Sequence, residues 1–335
     1  MAWLSDPATL CDLPFPSTVY KTPAAFHIFR DEPGDVGTRR FKFMGREVLR
    51  TIYGAVEEAQ RYEHSADNDS GTVHLYGPLG AGKTNILAAL TCLLAQDFKA
   101  VLYLPNCSEL RTNPVRAMKA SLSFALPQNQ EEISQIRDDD IPALHDYLMS
   151  IEDGSLICIA SHLDKFYSSH PKETGRQSKT REMANNILTE FFRDHFLLFT
   201  SYSLLSLPAA LFDSKRKTIS MCEGLSKVCE LIHSIRSAIL TFRLQEEMRC
   251  WWNHHKANLP TLSNENRLEV ELMTGRLPLL LQALLHFAGR PYDDIKDEFA
   301  TSRVLQTVRH GAKGFVESKF EEYKVGSKAR RECVT

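Results

Sequence analysis

The stretch Thr72-Val-His-Leu-Tyr-Gly-Pro-Leu-Gly-Ala-Gly-Lys-Thr84, continued by Asn85-Ile-Leu-Ala-Ala-Leu90, decides the fold. Val73, Leu75 and the residues between them predict a short buried strand. Gly77 to Thr84 spells G-x-x-x-x-G-K-T, and Ile86, Leu87, Leu90, Leu93 and Leu94 come after it at helical spacing. A strand before this pattern and a helix after it mark a Walker A phosphate loop. Glycines at 77, 80 and 82 let the backbone wrap close to phosphate oxygens, and the helix start adds its positive dipole end. Lys83 then reaches the β- and γ-phosphates, the Thr84 hydroxyl is placed to ligate Mg²⁺, and Asn85 completes the candidate nucleotide-binding set. The ligand implied is a nucleoside triphosphate, ATP or GTP, with Mg²⁺.

Outward from the loop, strands and helices alternate. Ala100–Pro105, Leu156–Ala160 and Phe196–Thr200 are short apolar runs that read as buried strands. Helical patterns lie between them, at 114–126, 142–151 and 181–194. Upstream, a helical pattern runs from Val48 to about Tyr62. This order predicts an α/β P-loop NTPase with a mostly parallel sheet flanked by helices. From Gln245 onward the period is helical, with Pro260 and Gly275 as breaks, which predicts a C-terminal helical lid. The expected organisation is an irregular lead-in (1–40), an NTPase core (41–240), the lid (241–325) and a flexible basic tail (326–335). In the lead-in, Asp12–Pro16 and Asp31–Asp35 read as turn material. Ser168–Thr180 reads as an exposed loop. Ser220–Ile239 reads equally as strand or helix.

The chain has 335 residues, 43% apolar and 24% charged, with a formal net charge of −2. That balance gives no global attraction to nucleic acid, so such binding would need a local basic patch. Ser214–Lys217 and Lys328–Arg331 are short basic clusters that read as solvated surface or as import or phosphate-contact patches. The eight cysteines lack C-x-x-C spacing and read as reduced, buried thiols. No run approaches a membrane span, and no basic-then-apolar leader is visible, so no membrane partner is expected.

Several blocks in order resemble the P-loop NTPase region of the Crinkler effectors of oomycetes and fungi. They are Leu13–Pro16, Phe43-Met-Gly-Arg-Glu47, Tyr76–Thr84, Val101–Asn106, Glu246-Glu-Met-Arg-Cys-Trp-Trp252 and Thr274-Gly-Arg-Leu-Pro-Leu-Leu-Leu281. They span residues 13–285. The Gly-Arg box and the late Gly-x-x-Pro block also resemble the wider group of signal-transducing AAA-like NTPases. That resemblance implies that Arg46 sits near the base or ribose and that the block containing Pro278 closes over the phosphates. Read alone, Arg46 is equally a solvated arginine at a helix start, and Pro278 a helix-starting proline. The family further implies secretion, delivery to a host cell and action in its nucleus, through protein partners or self-association; without a visible leader, a cytoplasmic protein is the alternative.

One departure from the family pattern bears on chemistry. Family chains end the Walker B strand in Asp-Gln-x-Asn, whereas Ile157-Cys-Ile-Ala-Ser-His-Leu-Asp164 puts Ser161 in the aspartate position and Asp164 in the asparagine position. Ser161 supplies a hydroxyl without charge. Asp164 is a substitute acid or a surface or capping carboxylate, and His162 reads as structural. Ser203, after the fourth strand, is a candidate γ-phosphate sensor or simply ends a strand. Glu246 and Glu247, adjacent on a helix, read as a solvated face rather than an acid–base pair. Trp251 and Trp252 are expected to pack an aromatic edge against the sheet domain. Two readings emerge: a nucleotide-dependent switch with slow or impaired hydrolysis, or a protein-interaction module with a relic, non-hydrolysing loop.

Overall fold

A computed structural model describes residues 2–17, 40–62, 72–77, 79–97, 99–167, 175–200, 217–220, 245–308 and 310. Its centre is a five-stranded sheet built from β3 (Thr72–Tyr76), β4 (Val101–Leu104), β5 (Ile157–Ala160), β6 (Phe196–Thr200) and β7 (Lys217–Ser220). The strand order is β4-β5-β6-β3-β7, and all four pairings are parallel. The strand leading into the phosphate loop is therefore flanked by β6 and β7. Parallel strands buried on both faces read as unbroken apolar runs, as β4, β5 and β6 do.

Alternation along those runs divides the core. Val73, Leu75, Tyr103, Ile159 and Leu198 point to the face covered by α1 (Glu47–Tyr62) and α2 (Lys83–Gln96). Leu102, Cys158, Ala160, Leu197 and Phe199 point to the opposite face, which carries α3 (Pro114–Ala125), α4 (Gln130–Gln135), α5 (Ile141–Met149), α6 (Leu163–Tyr167) and α7 (Gly175–Asp194). The lid comes next as α8 (Gln245–His255), α9 (Asn264–Thr274), α10 (Pro278–Leu284) and α11 (Tyr292–Thr301). The result is the expected α/β P-loop NTPase fold with a helical lid.

Four sequence expectations are corrected or refined. The lead-in contains a strand: β1 (Leu10–Pro14) pairs antiparallel with β2 (Arg40–Met44), from Leu10 opposite Met44 to Pro14 opposite Arg40. Pro14 takes the last position of this two-stranded ribbon, where its missing N–H costs little. Leu13, Phe15, Phe41 and Phe43 are buried beneath it. The second correction is that Gly175–Thr180, expected in a loop, begins α7. Third, Trp251 and Trp252 belong to a core of the lid's own with Val270, Leu281 and Tyr292, and it is Met44 of β2 through which that cluster meets the sheet domain. Trp252 Nε1 donates to Glu271 Oε1 at 2.9 Å. Fourth, Cys11 and Cys92 are only partly buried, while Cys107, Cys158 and Cys250 are buried, and none of these five is in a disulfide. The basic clusters' side chains, the tail at 326–335 and most of the Ser220–Ile239 run lie outside the described residues.

The N-terminal segment is tied to the core just before α1. Gly45 N–H donates to the Thr9 carbonyl at 2.9 Å, and Arg46 N–H donates to the Leu4 carbonyl at 3.0 Å. A Cβ at position 45 would run into the backbone carbonyl of Asp6. Backbone cannot move aside as a side-chain tip can, so Gly45→Ala is expected to destabilise the fold by about 1–3 kcal/mol. Urea unfolding of both proteins checks this. A stability unchanged within error would mean that the segment is not held here.

Candidate nucleotide site

Two glycines of the phosphate loop require their residue type. Gly80 and Gly82 have φ of 85° and 82°, the left-handed region that side chains rarely adopt. Gly82 forms the N-cap of α2, and its carbonyl accepts the first helical bond, from Ile86 N–H at 3.0 Å. The turn aims its amides toward the mouth of the helix, where dipole and N–H groups together favour an anion. Lys83 is buried and donates from Nζ to the Gly77 carbonyl at 2.6 Å, folding its ammonium back over the loop.

Thr84 Oγ1 lies 3.2 Å from Ser161 Oγ, within hydrogen-bond distance. The residue after β5 thus reaches Thr84, the threonine of the phosphate loop, as the register of the sequence blocks implies, and it is fully buried. Asp164 is carried into α6, also buried, beside Cys107. Burial, and after it the Asp164 charge, push the Cys107 thiol above its ordinary range. It is the hydroxyl of Ser161, rather than the carboxylate of Asp164, that bonds to Thr84. The turn between them is strained: His162 has φ of 58°. His162 N–H donates to Thr200 Oγ1 at 2.9 Å, fixing the end of β5 to the end of β6. Ser203, the candidate sensor, lies outside the described residues; Thr200, which sequence pattern does not single out, occupies the strand end itself.

The lid meets the loop directly. Leu279 N–H donates to the Gly80 carbonyl at 3.3 Å, and a Cβ at Gly82 would stand 3.8 Å from Pro278. Pro278 opens α10 at its first position. Its two roles, helix start and loop cover, coincide in one residue.

Arg46 is the link between loop, core and lid. It is not solvated: 8% of the residue is exposed, and a Cβ at Gly82 would come within 3.5 Å of its guanidinium. Arg46 Nε donates to Glu247 Oε1 at 3.0 Å. Glu247, expected on a solvated face, is only 2% exposed. The correction has a geometric cause. Glu247 and Trp251 are four residues apart and share one helix face, which Trp251 turns inward. Glu246 faces outward and pairs with Arg249, three residues on, as a solvated face would. Burial raises the Glu247 carboxyl above its ordinary value, and the Arg46 charge and hydrogen bond oppose that rise.

Between these elements lies a cavity of about 300 Å³. Gly82 and Asn85 bound it at the phosphate loop, and Arg46, Glu247, Trp251 and Pro278 bound it elsewhere, with apolar surface from Ile86, Met248 and Leu281. The site therefore joins an anion-binding turn to a small, mostly apolar slot with one ion pair in its wall, a form suited to a nucleotide. Phosphate oxygens fit the turn. A divalent ion would find two neutral hydroxyls, Thr84 and Ser161, so Mg²⁺ fits as a companion of the triphosphate more than as an ion held by protein carboxylates. Among the described residues, no group of three or more His, Cys, Asp or Glu is arranged to hold a metal ion.

No protein-family model and no curated protein matches the chain. Among solved structures it is similar to the FIGL-1 AAA domain in complex with ADP, at 15% identity and a TM-score of 0.36, over 81% of this chain and 78% of that one. A second structure of the FIGL-1 AAA domain is similar at 16% identity and a TM-score of 0.34, over 77% and 76% of the two chains. The strand order and the loop geometry together give this chain the α/β fold of P-loop NTPases.

Proposed function

We propose that this protein is a Crinkler-like effector whose AAA-like domain binds ATP or GTP with Mg²⁺ and acts as a nucleotide-dependent switch with slow hydrolysis. Lys83 and the amides at Gly80–Gly82 would hold the phosphates, and Thr84 would take the Mg²⁺ that arrives with them. The metal's contribution when bound is to neutralise charge on the β- and γ-oxygens. The observation that carries the reading is the 3.2 Å contact between the Thr84 and Ser161 hydroxyls. It supports a paired-hydroxyl site for the metal, and the lack of charge on Ser161 supports slow hydrolysis.

A switch also needs a moving part that senses occupancy. The lid's bond to Gly80 and its ion pair to Arg46 support that role, since both elements border the ligand. Delivery to a host nucleus and work through protein partners or self-association belong to the same proposal, on the strength of the sequence blocks. The Ser161 hydroxyl equally favours a second reading, an interaction module whose loop no longer turns over nucleotide.

Calorimetry with Mg-ATP and Mg-GTP separates the readings, with phosphate release measured on the same samples. Wild type is expected to bind one of them, and Lys83→Ala to weaken binding on the order of 100-fold, the worth of a charged phosphate contact. Measurable but slow release in wild type supports the switch. Binding without release supports the interaction module, and no binding of either nucleotide rejects both nucleotide-held forms.

A further inference from the structure

The charged groups around the cavity are not all committed. Glu247 is buried in the wall, bonded to Arg46 and to the Glu47 backbone N–H. Lys42, His255, Asn258 and Gln282 also line the space. Strand alternation places the lysine. Phe41 and Phe43 are buried on the core side of β2, so Lys42 turns to the other side with Leu10 and Met44, which line the cavity too. Lys42 is exposed and makes no ion pair among the described residues; Asp12, opposite it in the ribbon, is paired with Arg40 at 3.2 Å. His255 lies one turn beyond Trp251, the two rings 4.9 Å apart. Burial lowers its basicity, and the charges of His254 and Lys42 lower it further. A neutral imidazole offers one donor and one acceptor, and the carboxamides of Asn258 and Gln282 offer both as well. Among these four, Lys42 alone offers only donors.

We infer that Lys42 is a specificity-determining residue that donates to O6 and N7 of guanine, so that the site takes GTP in preference to ATP. The inference rests on the nucleotide reading above and chooses between the two ligands that reading leaves open. With the phosphates seated on the turn, the nucleoside is the part that extends into the cavity. Guanine presents two adjacent acceptors, O6 and N7, whereas adenine replaces the first with an N6 amine, a donor. An ammonium has no acceptor for that amine, so adenine forfeits the contact and turns a donor toward a positive charge. Asn258 and Gln282 can turn to suit either base and leave the preference to the lysine. Because Lys42 is exposed, water weakens the contact, which places the preference at the low end for a charged donor.

Calorimetry on the full chain compares the magnesium complexes of GTP, ATP and inosine triphosphate, the last keeping O6 and N7 but lacking the guanine N2 amine. GTP and inosine triphosphate are expected to bind alike, about 10-fold more tightly than ATP. In Lys42→Met the three affinities are expected to converge on that of ATP, which itself stays close to the parent's. Lys42→Arg keeps the donors and is expected to keep the preference. Lys42→Gln serves as a second variant if Lys42→Met fails to unfold cooperatively. Equal binding of GTP and ATP by wild type, or tighter binding of ATP, overturns this inference and leaves the nucleotide reading standing. So does a preference that survives in Lys42→Met, or an equal loss there for every nucleotide, which would make Lys42 a general attractor of phosphate. Weak binding of inosine triphosphate beside tight binding of GTP moves recognition to the N2 amine and also overturns it. Absence of binding by both GTP and ATP overturns the nucleotide reading and this inference together.

Discussion

Ser161→Asp is expected to raise steady-state phosphate release on the order of 100-fold, the scale on which one aligned charged or polar group changes an enzymatic rate. The position is already correct, since Ser161 Oγ lies 3.2 Å from the threonine that would take the metal. What it lacks is charge. The substitution carries a cost in the empty protein, because Ser161 is fully buried and an ionised carboxylate there gives up its hydration. Mg-nucleotide should restore that loss, so the variant's melting temperature is expected to depend more steeply on Mg²⁺ than the parent's. Phosphate release and thermal unfolding with and without Mg²⁺ provide the two readouts. A variant that binds nucleotide normally and still turns over at the parent rate would show that the hydroxyl at 161 is not what limits hydrolysis.

Arg46→Met is expected to cost about 3–5 kcal/mol of stability near neutral pH, the usual effect of removing one partner from a buried ion pair. Glu247 would be left charged in the cavity wall. Its carboxyl already sits above its ordinary value through burial, and the Arg46 charge and hydrogen bond are the main influences lowering it. Removing them moves the folded-state value further up. For a group raised on folding, the protonated form is favoured in the fold. Its contribution is thus fully present below the unfolded value and is lost as pH rises through the folded one. The deficit of Arg46→Met should therefore shrink as pH falls toward the unfolded carboxyl value of about 4.3. Adding Glu247→Leu to the same protein should recover much of the stability at every pH, since an apolar pair of similar volume often replaces a buried ion pair at little loss. Urea unfolding across pH measures all three proteins. A pH-independent deficit, or no recovery in the double variant, would remove Glu247 as the source.

Where the sequence is legible, one physical signal suffices. Buried parallel strands must be apolar on both faces, so Val101–Leu104, Ile157–Ala160 and Phe196–Thr200 announce themselves without any knowledge of their neighbours. The loop at 77–84 is legible because its glycines answer a backbone demand that the φ values at Gly80 and Gly82 make explicit. Ser161 can be placed because the end of a strand fixes the register of the next few residues. The β1–β2 ribbon is hidden by Pro14 and Pro16, which look like turn residues until the partner strand is present. Glu247 is hidden for a different reason. Its partner Arg46 is 201 positions away, and local pattern carries no trace of a contact made by folding the lid over the core. The face it shares with Trp251 is the one available clue. Thr200 escapes notice because a threonine at a strand end looks like the strand's own β-branched filling.

The anchoring of the first residues gives the chain's beginning an unexpected status. Thr9 holds Gly45 and Leu4 holds Arg46, Arg46 holds Glu247, and both charged groups wall the cavity. A segment that looks like an appendage is thereby part of the receptor. Docking of that segment and occupancy of the cavity form a single linked equilibrium, and linkage is reciprocal. Whatever factor a ligand gives to the seating of residues 2–9, the seating returns to the ligand. A fusion, a bound partner or a cut at residues 2–9 would then be felt as a change in affinity at the adjoining cavity, transmitted in part through Arg46.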